Sequence, residues 1–264
     1  MQWWLAYLGI GFAVGFFAGL LGIGGGAVMV PMLVLVFTAH EMPAEHVMHM
    51  ALGTAMASIM FTSVSSMRAH HAHGAVDWGI ARAIAPGILV GAFCAALAAG
   101  LIARRPLALM FTALVFYAAT QILFDLRPRQ ARELPGAAGL FAAGAGIGAV
   151  SSLLAAGGAS LCIPFLAWCS VPLRRAIGTA AAVGLPIALA GTLGYVVQGL
   201  RAPGLPPFSL GYVYLPALLF VAATSMLAAP LGARLAHRLP VKRLRIIFAL
   251  LLYALAARML ASIW

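Results

Sequence analysis

Residues Gly22 to Pro31 read GIGGGAVMVP, and AAGGASLCIP from Ala155 to Pro164 repeats the pattern 133 positions further on (155 − 22). A glycine cluster leaves backbone N–H groups uncovered by side chains and able to approach a ligand closely. Where such a cluster opens a helix, the first N–H groups lack intrahelical partners, and the helix end carries about half a positive charge. Gly24, Gly25 and Gly26 in the first copy, and Gly157, Gly158 and Ser160 in the second, are therefore candidate donors to one small anion. The competing reading is that small residues let helices pack closely in lipid. Duplication, with a proline closing both copies, favours a ligand.

Hydroxyls come next, because they can donate to an anion without the desolvation cost of a buried charge. Thr54, Ser58, Thr62 and Ser65 share one face at helical spacing, and Thr179 and Thr192 lie in the corresponding later segment. Thr54 in LGTA and Thr179 in IGTA occupy matching positions and are candidate substrate ligands; Gln198 is a further candidate. Each hydroxyl could instead bond to its own helix. His49 lies within an apolar run and could carry a proton, or sit neutral at the interface near Glu41, Glu45 and His46. His70, His71 and His73 resemble a metal cluster, but only Asp77 stands near them and a solvated loop accounts for them.

These residues must be positioned inside a membrane. The 264 residues are 64% hydrophobic and 8% charged, far from the roughly 25% charged residues of soluble domains. The net charge of +11 comes from arginines in short loops, so nucleic acid is not expected as a partner. Cys94, Cys162 and Cys169 lie in apolar runs without metal-ligand spacing, and no cofactor is implied. No GxSxG, HExxH, P-loop or paired intramembrane carboxylate occurs, so an enzyme is not expected. The opening apolar run lacks a basic flank and reads as a span, not a cleaved leader.

Apolar runs between polar or Pro/Gly breaks give ten segments: 3–21, 23–38, 46–67, 79–103, 106–124, 136–155, 157–170, 174–199, 211–234 and 242–263. The second and seventh are shorter than the about 17–25 residues of a full span. Each contains a proline, Pro31 or Pro164, expected to break it. Pro86 matches Pro216, and YAATQIL from Tyr117 matches YALAARML from Tyr253 with one insertion, so the order is kept across both halves. Five segments per half is an odd number, which inverts the second half relative to the first. The predicted fold is an all-α integral membrane protein of about ten transmembrane or half-spanning helices in two inverted five-helix repeats. Its parts are a first repeat over 1–125, a cytoplasmic linker over 126–135 and a second repeat over 136–264.

With ten crossings, twelve basic residues gather on the side of the 125–135 loop and four (Arg104, Arg105, Arg201, Arg258) on the other. If segments two and seven dipped in and returned, the split would be nine against seven. The positive-inside rule favours the first arrangement, with the 125–135 loop cytoplasmic and both termini outside.

A span, a GxGGG run, a short gap and a proline, repeated in the second half, resemble the sulfite exporter TauE/SafE family of membrane transporters. The likeness extends to GTA at Gly53 to Ala55, HGAVDW at His73 to Trp78, and the closing LP and YALAARML stretch. The second decad departs from the pattern at Ala155, Ala156 and Ala159, which makes its wall of the site narrower. The resemblance implies a secondary transporter moving sulfite, a sulfonate or another sulfur-containing anion across the cytoplasmic membrane, with export or uptake differing among members. A coupling proton or sodium ion and a homo-oligomer are open partners. The rival readings are a membrane-embedded accessory protein without its own substrate and a histidine-cluster membrane metalloenzyme.

Overall fold

A computed structural model describes residues 3–21, 25–124, 133–155, 157–236 and 241–261. The described residues form ten helices, α1 (Trp3–Leu21), α2 (Gly26–Ala39), α3 (Val47–Ala72), α4 (Trp78–Ala99), α5 (Arg104–Phe124), α6 (Ala137–Leu153), α7 (Ala159–Trp168), α8 (Leu173–Gly199), α9 (Leu215–Ala236) and α10 (Val241–Ala261). A two-stranded antiparallel hairpin, β1 (Ser209–Leu210) and β2 (Val213–Tyr214), precedes α9. Helices are the expected solution for so apolar a chain, because in lipid each backbone N–H and C=O must be satisfied within its own segment. Among the described residues, α3, α4, α5 and α8 are long and apolar enough to cross a membrane. The outer faces agree: Leu219, Leu227, Ile247 and Leu250 are more than half exposed, a surface suited to hydrocarbon and not to water.

The core is organised around α3 and α8, which pack against each other. Every residue of α3 from Val47 to Ile59 is buried. Each half's first helix packs on the fourth helix of the other half: α1 lies on α9 and α6 on α4. Glycines set both contacts. A Cβ at Gly15 would fall 2.5 Å from Ser225 Cα, and one at Gly148 would fall 2.9 Å from Ile88 Cα. Gly11 and Gly15, like Gly144 and Gly148, are four apart, the spacing that brings helix backbones together in lipid. α5 packs on α10, where Thr120 Oγ1 and Tyr253 OH share a hydrogen bond of 2.6 Å.

The short helix α2 folds back beside α1. The Trp3 ring stacks on His40 at 4.7 Å, and Tyr7 OH lies 3.4 Å from His40 Nδ1, so the start of α1 meets the end of α2. With 14 and 10 residues, α2 and α7 are only about 21 and 15 Å long, short of the about 30 Å hydrocarbon thickness. Pro31 and Pro164 do not break them, which corrects the expectation drawn from sequence: both helices run through the proline. Each proline is the sixth residue of its helix, counting from Gly26 and Ala159. Its missing N–H leaves the carbonyl four residues earlier, on Ala27 or Ser160, without that bond, and the helix continues. Shortness comes instead from the glycines at the start.

Candidate functional site

Gly25 is the N-cap of α2 and Gly158 that of α7, and neither helix has a side-chain cap. The first full-turn bonds are Met29 N–H to Gly25 O at 2.9 Å and Cys162 N–H to Gly158 O at 2.9 Å. Val28 N–H also reaches Gly25 O, at 3.2 Å, and the amides nearer each start than these precede the first full turn and have no carbonyl four residues back in their own helix. The two decads meet directly. Gly26 lies against the Ala155 carbonyl so closely that a Cβ there would overlap the oxygen, and Ile59 Cδ1 would be 3.1 Å from that Cβ. On the other side a Cβ at Gly158 would fall 2.6 Å from Ala180 O and 3.2 Å from Gly184 N. Gly184 in turn faces Ser63 Oγ, 3.1 Å from its own Cβ direction. Ile59 and Ser63 are one turn apart, midway along α3. Both helix starts therefore abut the middle of the central helix pair, remote from either end.

The elements that meet there are backbone and small side chains, Gly26, Ala155, Gly158 and Gly184. Ser160 Oγ, in the first turn of α7, is buried with no hydrogen-bond partner. So are Ser151 Oγ and Thr192 Oγ1. Buried hydroxyls in folded proteins nearly always bond to protein or water, so an unpaired one beside open amides is a ready donor to a ligand. Gly157 is buried at the turn before α7, and Gly24 lies outside the described residues.

Other residues singled out in the sequence fall elsewhere. Thr54 Oγ1 accepts the Tyr214 N–H at 3.0 Å, and Thr179 Oγ1 accepts the Asp77 N–H at 3.0 Å, so both anchor backbone. Ser58 and Thr62 donate to carbonyls of their own helix, Thr54 O and Ile59 O. Gln198 packs against Gly100. His49 is 4% exposed; its Nε2–H is shared between Ala99 O at 3.1 Å and Ile102 O at 3.0 Å, its ring stacks on Tyr212 at 5.0 Å, and its Nδ1 is buried without a partner. It sits at one end of α3 and not at the decads.

The histidine group lies at the opposite end. His70 and His71 form the last turn of α3, not a loop as the sequence implied. His71 Nδ1 accepts the Trp78 Nε1–H at 3.2 Å, and the His73 Nδ1–H donates to Ala69 O at 2.7 Å. Among the described residues no group of three or more His, Cys, Asp or Glu stands close enough to hold a metal ion.

Sequence reasoning passed over Ser63 and Ser151, whose lone hydroxyls carry no motif. It also missed Tyr212 and Tyr214. Gly53 and Gly178 were visible inside the repeated GTA, but their role depends on loops whose docking no local pattern reveals.

Apolar, outward-facing helices packed around the central pair α3 and α8 define a multi-pass membrane protein. The sulfite exporter TauE/SafE family model matches residues 7–259. A probable membrane transporter protein of Haemophilus influenzae is 37% identical over 252 residues, covering 95% of this chain and 95% of that one. A probable membrane transporter protein of Methanocaldococcus jannaschii is 24% identical over 257 residues, covering 95% and 93%. One of Bacillus subtilis is 27% identical over 203 residues, covering 71% and 77%. No solved structure matches. The chain belongs to the sulfite exporter TauE/SafE family of membrane transporters.

Proposed function

We propose that the protein is a secondary transporter that carries a small anion, sulfite, a sulfonate or a related sulfur-containing anion, across the cytoplasmic membrane by alternating access. The observation that carries the reading is the meeting of two glycine-capped helix starts, Gly26 against the Ala155 carbonyl, at mid-length of α3. Two helix N-termini at that depth offer an anion amide donors and positive dipole ends without a buried cation. Gly25, Gly26, Gly157, Gly158 and Ser160 are the contact residues of this reading.

The packing supports two inverted halves. α1 lies on α9 as α6 lies on α4, and α2 lies on α3 as α7 lies on α8. The His49 end of α3 meets the loop before α9, and its other end meets the start of α8, so α3 and α8 run in opposite directions. The twelve-to-four division of basic residues supports a cytoplasmic 125–135 loop with both termini outside.

A second reading has its own support. The Cβ directions of Gly25, Gly26 and Gly158 are all filled by protein, by Val14, Ala155 and Ala180, so close packing alone accounts for these glycines. An accessory membrane protein without a substrate would need no more. Thermal unfolding of the purified protein with sulfite, sulfate, taurine, sulfoacetate and chloride separates the two. A transporter is stabilised by its own anion, by about 2.7 kcal/mol at a hundredfold excess over Kd. The accessory reading requires stabilisation by none, and that outcome removes the transport reading.

A further inference from the structure

The repeated GTA sequences build the same joint twice. In the first, Gly53 receives the backbone of Tyr212, whose carbonyl oxygen would be 2.7 Å from a Cβ there, and Thr54 Oγ1 accepts the Tyr214 N–H. In the second, Gly178 receives the backbone of Ala75, whose carbonyl carbon would be 2.5 Å from a Cβ, and Thr179 Oγ1 accepts the Asp77 N–H. The spacing is identical on both sides. Gly precedes Thr by one residue, and the docked loop residue precedes the bonded amide by two. Tyr214 immediately precedes α9, and Asp77 is the N-cap of α4. A side chain also secures each loop: His46 Nε2–H donates to Pro203 O at 3.0 Å, and Arg174 Nη2 donates to His73 O at 2.9 Å.

Each joint leads back to a decad. Thr54 on α3 fixes the start of α9; α9 packs on α1; α1 runs into the first decad. Thr179 on α8 fixes the start of α4; α4 packs on α6; α6 runs into the second. We infer that Thr54 and Thr179 are paired positioning residues for the transport site, each holding, through the other half's fourth helix, the helix that leads into one decad. Both side chains are fully buried, and each hydroxyl oxygen accepts the main-chain N–H that opens the other half's fourth helix, Tyr214 for Thr54 and Asp77 for Thr179. The transport part of this inference rests on the transporter reading above; the anchoring part does not.

Hydrogen–deuterium exchange and transport, measured on the full chain in lipid nanodiscs and proteoliposomes, test the two parts separately. Valine keeps the shape of threonine and removes the acceptor, leaving the paired N–H, buried at Tyr214 and part-buried at Asp77, without its partner. Thr54→Val should speed exchange of the Tyr214 amide about tenfold or more and leave Asp77 unchanged, and Thr179→Val should do the reverse. Thr54→Ser and Thr179→Ser should restore protection. With sulfite as the probe, both valine variants should lose most of the maximal rate while KM stays within about twofold. Unchanged exchange at the paired amide overturns the anchor. A KM raised about tenfold with exchange unaltered makes the threonines ligands instead. If the wild-type protein moves no sulfite, that transporter assignment fails, and the exchange measurements still decide the anchoring.

Discussion

The two decads are one element in two compositions. In the first, Gly26 brings bare backbone against the Ala155 carbonyl, and Ala27 follows it. In the second, Ala159 stands where Gly26 does, and Ser160 adds a buried, unpaired hydroxyl where the first has Ala27. Ala155 itself, matching Gly22, takes φ +46, a left-handed conformation that costs a side-chain-bearing residue about 1–2 kcal/mol. Under the transporter reading the contrast gives the two walls different work: the missing Cβ of Gly26 lets the decads meet, and Ser160 offers a side-chain donor.

The largest way to break this comparison is to fill the approach. Gly26→Leu places a Cβ on the Ala155 carbonyl oxygen, and Gly158→Leu places one 2.6 Å from Ala180 O. Both should abolish anion transport in proteoliposomes. Membrane insertion, read from the yield in the membrane fraction, should persist because it depends on the apolar spans. Normal transport by both variants would remove the decads from the site.

Ser160→Ala asks whether the second wall's hydroxyl contributes binding. A hydrogen bond to a charged group is worth about 1.5–3 kcal/mol, so KM for the anion should rise about tenfold or more with the maximal rate retained. An unchanged KM would mean that backbone amides alone hold the anion.

His49 and Arg174 extend the contrast to the ends of the bundle. Each stands five residues before the joint threonine of its half, one a titratable ring and the other a permanent cation. In the arrangement described, His49 donates Nε2–H to two carbonyls and holds Nδ1 open, so proton coupling would require Nδ1 to take the second proton. His49→Gln keeps a donor for Ala99 O and Ile102 O and removes that protonation. It should flatten the pH dependence of transport, and Arg174→Gln should leave it intact. An unaltered profile in His49→Gln takes the histidine out of the cycle.

Helix number and boundaries were legible because lipid demands long apolar runs, and Pro, Gly or Arg punctuated each one. Segment 46–67 was cut short because Arg68, His70 and His71 look like a loop, whereas helix continues to Ala72. Turn-forming residues within Phe208 to Tyr214 hid a hairpin whose strands are two residues each. Pairing of helices was not legible. A helix apolar on all sides has no stripe that names its partner, and only the Gly11/Gly15 and Gly144/Gly148 spacings marked the faces that meet α9 and α4. The decads stood out by duplication, whereas the bonds that Thr54 and Thr179 accept from Tyr214 and Asp77 left no trace in the sequence. A hydroxyl at depth gives no sign in sequence of whether it faces a ligand or a neighbouring N–H.

The smallest expected effect concerns the strained corner of the second wall. Ala155→Gly relieves the left-handed strain of about 1–2 kcal/mol and returns about 0.4–1 kcal/mol through the greater backbone freedom of unfolded glycine. The methyl is fully buried. Yet its loss costs little hydrophobic energy where the alternative environment is also hydrocarbon. The balance favours glycine by up to about 1 kcal/mol, seen as a rise of about 2 °C in thermal unfolding in detergent. Destabilisation instead would show that the Ala155 methyl holds the turn against its neighbours more strongly than the strain opposes it. The alanine would then be part of how the second wall keeps its shape against Gly26, and the narrower composition there would be a packing requirement of the meeting point.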